Sequence, residues 1–300
     1  MSYDFSNECI ESILKNIKYS NYNIIVVDNN STNDSYIRLR EKYDKIKNVY
    51  FIKNDDNLGF AKGNNVGYRF AKYKLNSDFI ILLNNDTIIE QENFIDIVIN
   101  KFEKTKFYVL GPDIMTLDGN HQNPQRERLV GRDELKKSIL YYKIYLILNY
   151  MGLEEIVHKV YKNLKCLISN NKENNYKIYN SNFIEEQENV QLHGSCLIFS
   201  PLYVKKFIGL YEKTFMFMEE DILYYTLLQE KFKSLYSPEI KIIHKEDGST
   251  NYIYGKDRKK RMFIYKNMLL SSKIYLHFIN NYETEKNNFV EKIINIWGVE

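Results

Sequence analysis

The apolar run Phe79-Ile80-Ile81-Leu82-Leu83 stops abruptly at Asn84-Asn85-Asp86-Thr87. A run that short, apolar on both faces, reads as a strand buried in a parallel sheet with helices above and below. In open α/β sheets, ligands bind just beyond the carboxyl ends of such strands. Asp86 therefore falls where a metal or a phosphate would be held. The same three polar residues also suit a plain turn, with Asp86 capping the helix that follows. The remainder of the chain has to separate these readings.

The flanking pattern is that of alternating helices and strands. Ile10, Ile13, Leu14 and Ile17 fall on one helical face, and Ile24-Ile25-Val26-Val27 is a second buried strand, ending at Asp28. A polar helix to about Tyr43 leads to a strand over Val49–Lys53, which ends in Asn54-Asp55-Asp56-Asn57. Gly59 and Gly63 bracket a loop feeding a helix to about Lys72; after the Phe79 strand come a helix from Gln91 to Phe102 and a short strand from Tyr108 to Gly111. This alternation predicts a doubly wound, mostly parallel sheet flanked by helices. From about Met115 the pattern changes to a basic loop over His121–Arg132, a helical insertion over Glu134–Lys165 and a polar loop over Ser169–Glu188. Regular structure resumes at Val190–Phe199. Ser200-Pro201 opens a helix, Glu219–Lys231 forms another, and a strand over Ile240–Ile243 ends at His244. The last fifty residues read as helical and basic, with Lys256, Arg258, Lys259, Lys260, Arg261 and Lys266 close together.

Bulk properties exclude several classes. With 42 basic and 39 acidic side chains the charge is balanced, so no nucleic-acid partner is expected. Cys9, Cys166 and Cys196 lack metal-ligand spacing and fit a reducing cytosol. The Met1–Ser20 stretch has no signal-peptide core, and Ile139–Met151 is too short and too interrupted to span a bilayer. The expected location is cytoplasmic, with peripheral contact at the inner face of the membrane through the basic carboxyl-terminal helices.

Three early strands thus end in polar clusters: at Asp28, at Asn54–Asn57 and at Asn84–Asp86. On one sheet edge they describe the rim of a nucleotide crevice. Neither a Gly-x-Gly-x-x-Gly nor a P-loop pattern is present to cradle phosphates. A divalent cation on a carboxylate is the economical substitute.

On these residues a resemblance becomes specific. Val26-Val27-Asp28-Asn29-Asn30-Ser31, Asn57-Leu58-Gly59-Phe60-Ala61 with Gly63-Asn64-Asn65, and Leu82-Leu83-Asn84-Asn85-Asp86-Thr87 resemble a family 2 glycosyltransferase of GT-A fold, in its rhamnosyltransferase-like branch. Gly194-Ser195-Cys196-Leu197-Ile198, Phe215-Met216-Phe217-Met218-Glu219-Glu220-Asp221, and Ser237-Pro238 followed by His244, Gly248 and Ser249 agree in the same order. The resemblance spans about residues 5–250. It implies a glycosyltransferase domain over 1–250, with a nucleotide-sugar half at 1–114, a helical acceptor-side insertion at 115–189 and a catalytic part at 190–250, followed by a basic helical extension over 251–300. It further implies that Asp28, Asn30, Asn57, Gly59, Lys62, Asn85 and Asp86 surround a dTDP- or UDP-sugar. Asp86, with His244, would hold Mg²⁺ or Mn²⁺, and Asp221 would be the base for an inverting transfer to a glycan or lipid-linked glycan, with Glu220 the competing choice.

Two departures stand against this. Members begin with a buried strand before the first helix, and this sequence opens directly on the helix. The first strand is therefore expected to be missing, from a misplaced start or a truncation, which lowers the expected stability and puts the activity of this exact chain in question. Positions 84 and 85 are both Asn, leaving one carboxylate in the metal motif. The competing functions are a non-catalytic nucleotide- or sugar-binding protein and a sugar-phosphate nucleotidyltransferase; the latter normally carries a glycine-rich amino-terminal segment with Arg and Lys, absent here.

Overall fold

A computed structural model describes residues 1–157, 159, 183–246 and 258–290. The Ser169–Glu188 loop lies largely outside these residues, as do Cys166, Gly248, Ser249 and Lys256. The chain opens with α1 (Tyr3–Asn16), β1 (Ile24–Asp28), α2 (Ser35–Tyr43), β2 (Val49–Lys53), α3 (Phe60–Lys74), β3 (Ile80–Leu83), β4 (Thr87–Ile88), α4 (Phe94–Thr105) and β5 (Val109–Thr116). It continues with α5 (Arg132–Met151), β6 (Gln187–Glu188), β7 (Cys196–Phe199), α6 (Pro201–Lys206), α7 (Glu219–Gln229), β8 (Ser234–His244), α8 (Arg258–Asn280) and α9 (Tyr282–Lys286).

Burial on both faces decides the position of β3. Ile80 and Leu82 enter one apolar cluster with Ala61, Tyr68 and Ala71 of α3. Phe79, Ile81 and Leu83 turn to the opposite cluster, with Ile13 and Ile17 of α1 and Phe94 and Val98 of α4. The same alternation holds in β1. Val26 packs with Ile10 of α1 and with Leu39 and Tyr43 of α2, whereas Val27 touches the α3 backbone at Gly67, where a Cβ would lie 2.9 Å from its methyl. The layers are thus α3 on one side and α1, α2 and α4 on the other.

The sheet itself falls into two parts. β1 and β2 form a parallel pair, and a six-stranded sheet runs β3-β7-β5-β8-β4, with β6 also on β8. Among the described residues only β5 and β8 are parallel within the larger part; β7, β4 and β6 run antiparallel to their neighbours. The mostly parallel sheet expected from alternation gives way to a mixed one, because β7 arrives after the long insertion rather than through a βαβ crossover. Strand β8 extends back to Ser234, further than the sequence pattern indicates, and passes through Ser237-Pro238 where its register with β5 shifts. Proline cannot donate to a ladder and is accommodated at such an irregularity.

Between β1 and β3 lies a cavity of about 440 Å³, lined by Ile24–Val27, Phe79–Leu83 and apolar residues of α1, α3 and α4.

At the other end of the chain, α8 lies along α5. The Arg258 guanidinium takes the last carbonyls of α5, donating to Asn149 O at 2.8 Å and Tyr150 O at 2.7 Å. Arg261 pairs with Glu154 at 2.9 Å and with Glu155 at 2.8 Å, and Lys260 is buried. Much of the basic cluster expected to face anionic lipid is therefore occupied in holding two helices together. No helix among the described residues is long and apolar enough to cross a membrane.

Leu110, fully buried near the start of β5, reports on this core. Leu110→Ala is expected to lower unfolding stability by about 2–5 kcal/mol, read as a lower urea midpoint at unchanged m-value.

Candidate active site

The carboxyl ends of β1, β3 and β8, and the segment leading into β7, meet at one rim. At β1, the fully buried Asp28 carboxylate accepts the Ser31 N–H at 3.2 and 3.3 Å. This closes the loop through Asn30, which takes a left-handed φ of 62° and is exposed. Asn29 fastens the loops: its Oδ1 accepts the Leu58 N–H at 3.0 Å and Asn54 Nδ2 at 3.1 Å, and its Nδ2 donates to Asn57 Oδ1 and Gly59 O, both at 3.0 Å. Asn57 Oδ1 also accepts the Gly59 N–H at 3.0 Å. Gly59 has φ 80°, and a Cβ there would sit 2.2 Å from the Phe215 carbonyl oxygen. That same carbonyl accepts the Phe60 N–H at 2.7 Å. Only glycine permits both the conformation and the approach. Lys62 is exposed on the first turn of α3.

At the end of β3, Asn85 Nδ2 donates to Ser6 Oγ at 2.9 Å. Register places Thr87 opposite His244, and the Asp86 carboxylate lies 3.2 Å from His244 Nε2. His244 Nδ1 is 2.7 Å from Gln122 Oε1. An amide oxygen only accepts, so Nδ1 carries a proton, and Nε2 either carries a second one toward Asp86 or offers its lone pair to a cation. A separation of 3.2 Å is that of an imidazole–carboxylate contact, and these are the two side chains here that would offer ligands to a divalent cation. Among the described residues no group of three or more His, Cys, Asp or Glu could hold a metal, so further ligands would have to come from diphosphate and water oxygens.

His193 stands behind this pair, its ring centroid 5.8 Å from that of His244. Burial, and then the neighbouring His244, push its pKa down to about 4. Its Nδ1 accepts the Ser195 N–H at 3.2 Å, and its own backbone N–H donates to Asn123 Oδ1 at 2.7 Å.

The acidic trio opens α7, where the helix dipole favours negative charge. Phe217 and Met218 precede it with φ of 73° and 69°, turning the chain sharply into the helix. Glu220 reaches the Gly194 backbone, where a Cβ would stand 2.1 Å from its Oε1. Burial raises Glu220 to about 7 and Glu219 to about 8, and neighbouring carboxylates add to both. Asp221 is also raised, by burial, against the opposing pull of Arg126, whose Nη1 lies 3.4 Å from its Oδ1.

The expected residues thus gather as Asp28, Asn30, Asn57 and Gly59 at one end, Asn85, Asp86 and His244 in the middle, and Glu220 and Asp221 beyond Gly194. Asn29, Gln122, Arg126 and His193 were not singled out from sequence. His193 could have been noticed as the residue before Gly194-Ser195; nothing local marks Gln122 or Arg126.

The layers and mixed sheet define a GT-A-like α/β protein. Residues 3–175 match the family described as Glycosyl transferase family 2, and the chain belongs to that family. It is 27% identical over 95 residues to the low-salt glycan biosynthesis hexosyltransferase Agl10 of Haloferax volcanii, covering 32% of this chain and 29% of that protein. Among solved structures, GalNAc-T7 with UDP, GalNAc and Mn²⁺ aligns over 86% of this chain and 47% of its own, with TM-score 0.51 and 12% identity. S. aureus TarS 1–349 with UDP aligns over 42% and 36%, with TM-score 0.35 and 20% identity. The chain thus spans about a third or less of the hexosyltransferase and TarS chains it matches. The rhamnosyltransferase-like branch finds no separate support.

The acidic trio sets a pH dependence. Carboxyls raised in the folded state contribute stability that is complete below their unfolded pKa and lost as pH rises through the folded values. Between about pH 4.5 and 8 the wild-type chain is expected to lose stability, and Glu219→Gln to flatten that slope. Urea midpoints across this range check it. His193 acts oppositely: its lowered pKa predicts a loss of stability as pH falls from about 6.5 toward 4.

Proposed function

We propose that this chain is an inverting glycosyltransferase that moves a sugar from a dTDP- or UDP-sugar to a hydroxyl of a glycan or lipid-linked glycan. The observation that carries this reading is the alignment, along one rim, of a carboxylate–imidazole pair 3.2 Å apart and a buried acidic helix start. The Asn29-fastened loops, with Asp28 shaping the turn and Lys62 exposed beside it, would receive the nucleotide. Asp86 and His244 would hold Mg²⁺ or Mn²⁺, which when bound supplies positive charge against the leaving diphosphate.

Asp221 is favoured over Glu220 as the base. Glu220 is committed to the Gly194 backbone, and its raised pKa of about 7 makes it a proton holder near neutrality. Asp221 lies at the mouth beside the half-exposed Arg126, with 13% of its side chain reaching solvent. Burial strengthens it as a proton acceptor, while Arg126 keeps it ionised. In the transfer, the acceptor oxygen forms its bond to the anomeric carbon as the bond to the diphosphate oxygen breaks. The bonding electrons leave with the diphosphate and the hydroxyl proton passes to Asp221. With one base and no candidate nucleophile, this is a single displacement that inverts the anomeric centre. The basic carboxyl-terminal helices would lie near a lipid-borne acceptor at the inner membrane face.

Release of nucleoside diphosphate from UDP- and dTDP-sugars in the presence of Mn²⁺ tests this. Asp221→Ala and Asp86→Ala are each expected to reduce it by about 10²–10⁴-fold. Turnover that survives both substitutions would overturn the residue assignment. A thermal-shift panel of UDP-, dTDP- and GDP-sugars with and without Mn²⁺ should show stabilisation by the donor alone among them; a flat response would favour a non-catalytic chain.

A further inference from the structure

Helix α5 is apolar on two opposite faces. One face is used inside the chain. Leu135 is fully buried, Tyr142 and Tyr145 lie 6.3 and 5.7 Å, ring to ring, from Tyr265 of α8, and Asn149 is buried where Arg258 takes its carbonyl. The other face points to solvent. Leu140, Ile144, Ile147 and Met151 expose between 45% and 63% of their surface. At 3.6 residues per turn, their spacing confines them to an arc of about 60°. This is the a and d spacing of a heptad, a narrow seam rather than the broad stripe of a helix laid on a globular core. Both ends of the seam are marked. Lys137 takes the preceding a position, and Gly152, with a left-handed φ of 76°, stops the helix just after Met151.

Size and shape indicate what covers the seam. Tyr141 and Tyr150 flank it on either side and expose 48% and 79% of their surface. At roughly 200 Å² per large side chain, the six exposures amount to about 700 Å² on one copy. That exceeds the largest apolar patch usual on a monomer, about 300–600 Å². It approaches the area of about 800 Å² that one partner gives to a specific interface. A helix lying on lipid presents a wide apolar arc and keeps its opposite face polar. α5 does neither: exposed Lys143 stands at the edge of the seam, and the opposite face is occupied by α8. A heptad seam is filled by the side chains of a second such seam. A second copy of this chain carries one of identical length and spacing.

We propose that the exposed seam of α5 is a dimerisation surface, on which two copies of this chain pack their α5 helices antiparallel about a two-fold axis. Such an axis makes the interface self-complementary. Passing between Ile144 and Ile147, it sets Ile144 against Ile147 of the partner subunit, and Leu140 against Met151 of the partner subunit. Lys143 then runs beside Tyr150 of the partner subunit, with its stem on the ring and its ammonium in water. A parallel pair would instead set Lys137 against Lys137 of the partner subunit, placing two like charges at the end of the seam. The seam contains none of the residues assigned to sugar transfer, so dimerisation and turnover can be tested apart.

Sedimentation velocity of the 300-residue chain, at concentrations rising to about 100 μM, is expected to show a two-copy species. Ile144→Lys combined with Ile147→Lys is expected to weaken association about 100-fold or more. Both side chains face solvent in the single copy, so the urea midpoint should stay close to that of the parent; Ile144→Ser with Ile147→Ser gives the same readout should the charged pair unfold. Order is read by cross-linking. Chains carrying Leu140→Cys or Met151→Cys, each with Cys166→Ser, are expected to form a disulfide-linked pair under an added oxidant only when the two are mixed. Pairing of either variant with itself would overturn the antiparallel arrangement. A monomer at every concentration would overturn the proposal, as would a dimer that the seam substitutions leave unchanged. Monomers that float with phosphatidylglycerol vesicles, and cease to do so in the Lys variant, would assign the seam to a lipid surface and overturn it as well.

Discussion

The two-sided burial of β3 governs the site. A strand that must place side chains in two apolar clusters at once has no freedom to slip by one residue, because every side chain would exchange faces. Ile80 and Leu82 are held to α3, and Ile81 and Leu83 to α1 and α4. The apolar sequence ends at Leu83, so the next three residues must emerge at the rim. Asp86 then meets His244 because β4 pairs with the end of β8. The 3.2 Å carboxylate–imidazole contact is thus a consequence of core packing three residues upstream.

The rim also illustrates how neighbouring carboxylates acquire different characters. Glu219, Glu220 and Asp221 are consecutive, yet each meets a different partner: the polypeptide interior, the Gly194 backbone, and Arg126. Burial pushes all three toward the neutral form, and among the described residues only Asp221 has a cation opposing it. A helix start supplies the same dipole to each, so the environment, not the residue type, gives the three carboxyls their different characters.

Much of this was legible in the sequence, and the part that was not has a physical reason. The strands at β1, β2 and β3 announce themselves by short apolar runs, and the polar clusters at their ends mark the rim. The antiparallel entry of β7 does not, because a buried strand reads alike in either direction. Gln122 and Arg126 were legible only as members of a basic loop, since their importance lies in contacts with residues about a hundred positions away. The basic carboxyl-terminal cluster looked like a free surface because sequence shows charge but not partners. Arg258 and Arg261 proved to be bound to the end of α5 and the residues after it.

The hydrogen bond from Phe60 N–H to the Phe215 carbonyl, made beside a glycine with no room for a side chain, joins two stretches of chain more than 150 positions apart. One leads into α3 behind the Asn29-fastened loops; the other leads, within four residues, to the acidic start of α7. The two stretches are therefore latched backbone to backbone there, and Asn65 of α3 adds bonds to both the N–H and the carbonyl of Leu210 nearby. The amino end of α3 and the chain entering α7 are thereby held in one fixed register, and a side chain at position 59 would have to break that bond to be accommodated.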